Sequence, residues 1–224
     1  TQNEWKKTSI QDRKKLVNGV KEYFLQNINS IAKDITQQIG RPISHSINEV
    51  NGTIYRMEIL CKLVKPALEE IILPETDGLI KSIKREPLGV VLDIAAWNYP
   101  LLIAVNIIIA AVLAGNSVLI KHSSITPLCA LHFENAFIHA GAPENLVKAL
   151  IMSHQTTESL IGSGIIDHVS FTGSVSGGYK IQKAASNHFI NVGLELGGKD
   201  PAYIRLDANL ESTIDNVMDG VFYN

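Results

Sequence analysis

Residues 88–122 read LGVVLDIAAWNYPLLIAVNIIIAAVLAGNSVLIKH, and the order of elements within this stretch decides the fold. A short apolar run, LGVVLDI, stops at the turn-forming cluster Trp97-Asn98-Tyr99-Pro100. An apolar segment over 101–114 follows, stops at Gly115-Asn116-Ser117, and gives way to a second short run, SVLIK. Short apolar runs bounded by turn residues suit buried strands, whereas the segment between them is long enough for a helix. Strand, helix and strand in that order are the unit of a parallel sheet.

The rhythm continues to the end of the chain. A helix is expected over 127–140, stopped by Gly141, then strands over 145–151 and 167–171, a helix over 176–187, strands over 191–196 and 200–206, and a last helix from about Asn209. The expected fold is therefore α/β, a doubly wound parallel, Rossmann-like sheet. Two long amino-terminal helices precede it. In the first, Leu16, Val17, Val20, Phe24, Ile28, Ile31 and Ile35 keep helical spacing until Gly40 and Pro42 end the run; the second runs from about Ile43 to Leu68. Residues 73–87, with Pro74, Asp77-Gly78 and then Leu79, Ile80 and Ile83, suggest an extended arm or hairpin. The chain thus divides into a helical part (1–72), the arm (73–87) and the sheet domain (88–224).

Hydrophobic residues make up 46% and charged residues 19% of the 224, a globular composition with ample material for a core. The formal net charge is −2 with scattered basic residues, which argues against nucleic acid as a partner. Lys6, Lys7, Arg13, Lys14 and Lys15 read as the solvated face of a helix. No charged residue occurs from Ile94 to Ile120. Turn signals at both ends nevertheless leave a helix too short to span a bilayer, so no membrane segment is expected. Two cysteines, Cys61 and Cys129, are too few for a disulfide framework, and the opening residues are polar; a reducing, cytoplasmic setting is the expectation. The chain begins at Thr1 and stops at GVFYN, and both ends read as cut.

In open α/β sheets ligands bind where strands lead into helices, and three such loops carry polar and glycine residues. Asn98 precedes a proline-started helix, where its side chain could cap that helix or serve a site. Lys121 ends SVLIK, either as a solvated lysine or beside a cofactor. In TGSVSGG, Gly173, Gly177 and Gly178 surround Ser174 at a helix start, where backbone N–H groups can hold a phosphate. In VGLELGGKD, residues 192–200, Glu195 lies between Leu194 and Leu196; a carboxylate in apolar surroundings must be hydrogen-bonded, protonated or functional.

Together these segments strongly resemble the aldehyde dehydrogenase superfamily. PLGVVLDIAAWNYPL is similar to that family's first sheet strand and oxyanion loop, LIKHSSITPL to its cofactor-ribose loop, FTGSVSGG to its pyrophosphate loop and LELGGKDP to its glutamate motif, in the family's order. The resemblance implies a reaction in which a cysteine thiolate attacks an aldehyde, hydride passes to NAD or NADP, and water hydrolyses the thioester. It implies catalytic roles for Asn98, whose amide stabilises the oxyanion, and for Glu195, the base that activates water and, as an alternative left open, the thiol, its pKa raised by burial. For the cofactor it implies contacts from Ile94, Ala95 and Trp97, from Lys121, Ser123 and Ser124, from Gly173, Ser174, Val175, Ser176, Gly177 and Gly178, and from Leu196 and Gly197, with Gly197 and Gly198 leaving backbone room beside the nicotinamide. Many NAD-preferring members carry an acid where this chain has Ser124; its absence beside Lys121 and His122 points to acceptance of NADP. Ala96 also departs from a common proline before the Trp-Asn pair.

The family's nucleophilic cysteine lies some thirty-odd residues beyond the glutamate. Only 29 residues (224 − 195) follow Glu195 here, none of them Cys, while Cys61 and Cys129 sit in helices as packing residues. No metal is expected: the seven histidines show no ligand spacing, and His132 and His139 share a helix face without acidic partners. The expectation is an amino-terminal, cofactor-binding part of an aldehyde dehydrogenase lacking the catalytic domain and inactive by itself. Its full-length parent would take a small-molecule aldehyde substrate and assemble as a homo-oligomer through the arm. The alternative is a non-catalytic dinucleotide-binding or interaction protein.

Overall fold

The computed structural model describes all 224 residues. Four helices open the chain: α1 (Gln2–Trp5), α2 (Ile10–Gln26), α3 (Ile28–Ile39) and α4 (Ile43–Leu68). The first of the two long helices expected is thus divided at Asn27, although the apolar spacing runs through the break. Asn27 donates from its side chain to the Tyr23 carbonyl at 2.8 Å and from its backbone to Tyr23 and Phe24, so it closes α2 in place of a continuing helical ladder. Gly40, at φ 77° and donating to Thr36 O, ends α3 as its sequence position suggested.

The arm is an antiparallel hairpin, β1 (Ile71–Thr76) and β2 (Leu79–Ile83), turned by Asp77 and Gly78 at φ 52° and 77°. The sheet domain then runs β3 (Val90–Ala95), α5 (Pro100–Leu113), β4 (Ser117–His122), α6 (Pro127–His139), β5 (Val147–Ala149), α7 (His154–Ile161), β6 (His168–Gly173), α8 (Val175–Ala185), β7 (Asn191–Leu196) and α9 (Leu210–Phe222). Its five strands are parallel in the order β5-β4-β3-β6-β7, so β4 and β5 are added on one side of β3 and β6 and β7 on the other, and the strand order reverses between β3 and β6.

Alternation of side chains splits β3 between two cores. Val91 and Ala95 join a large cluster with α2–α6, while Leu92 and Ile94 join a smaller one with Ile161 of α7 and Ile181 and Ala185 of α8. Helices therefore cover both faces, as the doubly wound reading requires. At about 1.5 Å per residue α5 is roughly 21 Å long, and no helix is long and apolar enough to cross a membrane.

Buried α5 carries no charge of its own, and both of its ends are held by charges from the amino-terminal helices. Glu49 of α4 accepts from the Leu101 and Leu102 N–H groups at 2.8 and 3.1 Å, and Arg13 of α2 donates to the Leu113 carbonyl at 3.1 Å. An anion at the N-terminus and a cation at the C-terminus both match the helix dipole.

Two expected elements are corrected. Residues 200–206 form no strand: Gly197, at φ 64°, turns the chain off the end of β7, and Tyr203 and Leu206 lie exposed without a neighbouring strand to satisfy their backbone. The strand expected over 145–151 is confined to Val147–Ala149, and α7 follows it unannounced.

Asp93 is the anomaly of the central strand. It is fully buried beside Ile120 and Ser170, and its Oδ2 has no hydrogen-bond partner. Burial pushes its carboxyl well above the usual range. A carboxyl raised in the folded state contributes fully below the unfolded value, about 3.9, and loses that contribution as pH rises toward its folded value. Asp93→Val is therefore expected to stabilise the protein by about 1–3 kcal/mol at pH 7 and by less at pH 4, as read by urea unfolding at the two pH values.

Candidate active site

In a parallel sheet every strand presents its carboxyl end at one edge, and the register aligns the relevant residues there. Ile94 lies beside Lys121 and Phe171, Thr172 beside Glu195, and Gly173 beside Leu196. Above this edge, at the reversal between β3 and β6, opens a cleft of about 670 Å³. It gathers Ile94, Ala95, Trp97, Asn98, Lys121, Ser123, Gly173, Ser174, Ser176, Gly177, Glu195, Leu196 and Gly197 from the residues expected at a site. Ser124 lies instead in an adjoining cleft of about 300 Å³, with His122, Ser123, Leu150 and Met152.

Asn98 does not cap α5. Its carboxamide makes no hydrogen bond within the chain, and Glu49 serves the helix end. The Asn98 carbonyl accepts from Asn224 Nδ2 at 2.8 Å and Arg41 Nη1 at 3.4 Å. The carboxamide is therefore an uncommitted donor in the cleft wall.

Lys121 is buried, and its ammonium has no protein acceptor; burial lowers its pKa. A cation so placed gains by meeting ligand oxygens. His122 is not a second cation. Burial pushes its pKa down to about 4, and its Nε2–H donates to the Pro100 carbonyl at 2.9 Å, so the ring is neutral at physiological pH. Contrary to expectation, His122 therefore contributes no positive charge toward a 2′-phosphate.

The pyrophosphate-type loop shows why its glycines are needed. A Cβ on Gly173 or on Gly177 would come within 2.7 Å of the Phe171 ring, and one on Gly178 within 2.8 Å of the Leu196 side chain. The first two keep the loop flat against the ring; the third lets α8 pack on β7. Ser174 accepts from Gly177 N–H at 3.1 Å and caps α8. The first helical N–H groups, those of Val175 and Ser176, have no acceptor within the helix. A flat backbone, free N–H groups and a nearby lysine fit a dinucleotide phosphate. Val175 and Gly178 do not line the cleft.

Glu195 departs from expectation. It lies on edge strand β7, whose residues are mostly exposed, and is itself exposed, because no helix covers the face it shares with Asn191 and Gly193. The apolar surroundings inferred from Leu194 and Leu196 do not exist here, since those side chains point to the other face.

Cys61 and Cys129 are buried in the large core, where burial raises the first thiol and pushes the second up to about 12. Neither lines the cleft. No three His, Cys, Asp or Glu side chains come together as a metal site would need. His132 does have an acidic partner, contrary to expectation: Asp34 of α3 accepts from its Nε2 at 2.8 Å. Sequence reasoning also missed His154, Thr157 and Glu158 on α7 and Lys180 on α8, which line the cleft as well. The available signal was Ser153, whose side chain caps α7 by accepting from Thr156 N–H.

The sequence profile of the aldehyde dehydrogenase family matches residues 1–224. The chain belongs to the aldehyde dehydrogenase family. It is 33% identical to a betaine aldehyde dehydrogenase from Agrobacterium fabrum over all 224 residues, which correspond to 45% of that protein. Among solved structures it resembles a succinic semialdehyde dehydrogenase from Streptococcus pyogenes in complex with NADP+ (TM-score 0.90, 25% identity), covering 98% of this chain and 48% of that one. It also resembles a betaine aldehyde dehydrogenase point mutant from Staphylococcus aureus in complex with NAD+ (TM-score 0.91, 28% identity), covering 96% and 44% respectively. This aldehyde dehydrogenase chain thus spans about half the length of the curated relatives it matches.

Proposed function

We propose that the chain is the cofactor-binding part of an NAD- or NADP-dependent aldehyde dehydrogenase, which oxidises a small aldehyde to a carboxylic acid. One observation carries this reading: in a member of this family, Asn98, Lys121, the α8 N-terminus and Glu195 converge on a single cleft. A bound nicotinamide dinucleotide supplies the hydride acceptor. Lys121 and Ser123 serve the ribose from the end of β4, and Gly173, Ser174, Ser176 and Gly177 hold phosphate at the start of α8. Ile94, Ala95, Trp97, Leu196 and Gly197 form the walls. Asn98 donates to the aldehyde oxygen as it gains negative charge, and Glu195 takes a proton from the attacking water. The nucleophilic thiol is neither Cys61 nor Cys129.

The division into a helical part, an arm and a nucleotide-binding part (88–224) belongs to the same reading, with the arm starting at Ile71, where β1 begins, rather than at the expected residue 73. So does a homo-oligomer, supported by the exposed Ile72, Leu79 and Ile80 of the hairpin, and a reducing cytoplasmic setting, supported by two free cysteines. The test is reduction of NAD or NADP by the purified full-length protein across a panel of aldehydes. Cofactor binding without reduction on any aldehyde would favour a non-catalytic dinucleotide-binding protein.

Cofactor choice follows from Ser124, which is exposed and carries no charge to repel a 2′-phosphate. The expected result is a kcat/KM with NADP at least comparable to that with NAD. Ser124→Glu should shift the ratio toward NAD by about tenfold or more. Strong NAD preference in the unsubstituted enzyme would refute this reading of Ser124.

A further inference from the structure

Nothing in Asn98's own side chain fixes where it points, because its carboxamide has no partner in the protein; its direction comes from the backbone. That backbone is clamped on both sides. Upstream, Ala95 O accepts from Ser123 N–H at 3.0 Å, anchoring the end of β3. Downstream, Pro100 O accepts from His122 Nε2, and the next two N–H groups are held by Glu49 Oε1. Between these anchors the only side chain from the helical layer that reaches the loop is Arg41. It donates through Nη1 to the Asn98 carbonyl and to Asn224 Oδ1, which itself belongs to a side chain bonded to that carbonyl. Its guanidinium lies 5.3 Å from the centre of the Tyr99 ring. Arg41 is in turn locked by a charge-assisted hydrogen bond to Glu49 Oε2, and both side chains are almost wholly buried.

A single carboxylate thus holds the start of α5 with one oxygen and the arginine that reaches Asn98 with the other. Stability alone is a poor reason for such an arrangement, because a buried ion pair is often no better than well-packed apolar residues. A neutral cap at position 99 would satisfy one helix N–H group without any buried charge. What the pair adds is geometry: a planar fork that fixes direction.

We propose that the buried Arg41–Glu49 pair is the positioning device for Asn98, setting the angle at which its carboxamide meets the aldehyde oxygen. The inference rests on the role given above to Asn98. Neither Arg41 nor Glu49 touches the cleft, so both act through the loop.

The experiment is a double-mutant cycle in the full-length enzyme, with Arg41→Lys, Asn98→Ala and the pair. Arg41→Lys retains the charge facing Glu49 but loses the second arm. It is expected to lower kcat about tenfold and to leave the cofactor dissociation constant, read by fluorescence titration, within about twofold. In the Asn98→Ala background the same substitution should change kcat less than about twofold, since the group it positions is gone. A full tenfold loss in that background would show that Arg41 is merely structural and overturn the proposal while leaving Asn98's role intact. Wild-type kcat in Arg41→Lys would also overturn it. Wild-type turnover in Asn98→Ala alone would instead sink the role of Asn98, and the proposal with it. The same cycle run with Glu49→Gln, which keeps an oxygen for Leu101 and Leu102, decides the matter should Arg41→Lys fail to fold.

Discussion

In Glu195→Gln of the full-length enzyme, steady-state aldehyde oxidation falls by about 10²–10⁴-fold, the contribution of a positioned general base. The amide has the shape of the carboxylate but cannot accept the proton of a water molecule at neutral pH. If the carboxylate serves the attacking water alone, the thioester forms without it and the variant should give a stoichiometric burst of reduced cofactor followed by a slow phase, the mark of an accumulating acyl-enzyme; loss of the burst as well would show that Glu195 also activates the thiol. Cofactor affinity should change little, because the residues proposed to hold the phosphates and the ribose lie at the start of α8 and the end of β4, away from Glu195. Rapid-mixing kinetics reads both phases. Turnover within about threefold of wild type would remove Glu195 from the mechanism.

Asn98→Ala is expected to lower kcat by about 10²–10³-fold, the usual loss when one oxyanion donor is removed. Its carboxamide is uncommitted within the protein, so truncation leaves no buried partner unsatisfied and stability should hardly change. The contacts that hold the loop are made by the Asn98 backbone carbonyl, which the substitution keeps. Loss of rate without loss of melting temperature or cofactor affinity therefore separates a transition-state role from a structural one. A variant that binds cofactor normally and turns over normally would show that the amide donates to nothing that matters.

How much of this was legible in the sequence depended on distance along the chain. Short apolar runs between turn residues located β3, β4 and β6 closely, because a strand covered on both faces is built mainly of apolar residues, and located β7 as well although its residues are mostly exposed. The same rule over-read residues 200–206, where composition suits a strand but no neighbouring strand supplies hydrogen bonds. Asn27 broke a helix without disturbing its apolar spacing, since its effect is a side-chain hydrogen bond to Tyr23 that periodicity does not record. Glycine loops and polar strand ends were visible as motifs. The clamp on Asn98 was not, because Arg41 and Glu49 precede it by about fifty residues and acquire their meaning only when α4 crosses the start of α5. His122 shows the converse: its position beside Lys121 suggested a cation, and only the enclosure of its ring shows that it is neutral.

The pairing of Thr172 with Glu195 and of Gly173 with Leu196 makes the catalytic face a matter of parity. Side chains along β7 alternate, so Asn191, Gly193 and Glu195 share one face and Val192, Leu194 and Leu196 the other. The register of β7 against β6 decides which set looks toward α8. A slip of one residue in that register would swing the carboxylate against α8 and bring leucines to the open face. A residue added in the exposed turn at Phe189 and looped out there leaves the pairing, and every side chain of β7, where it was. The chemistry of this strand therefore tolerates change in the connection before it but not a one-residue slip in its pairing.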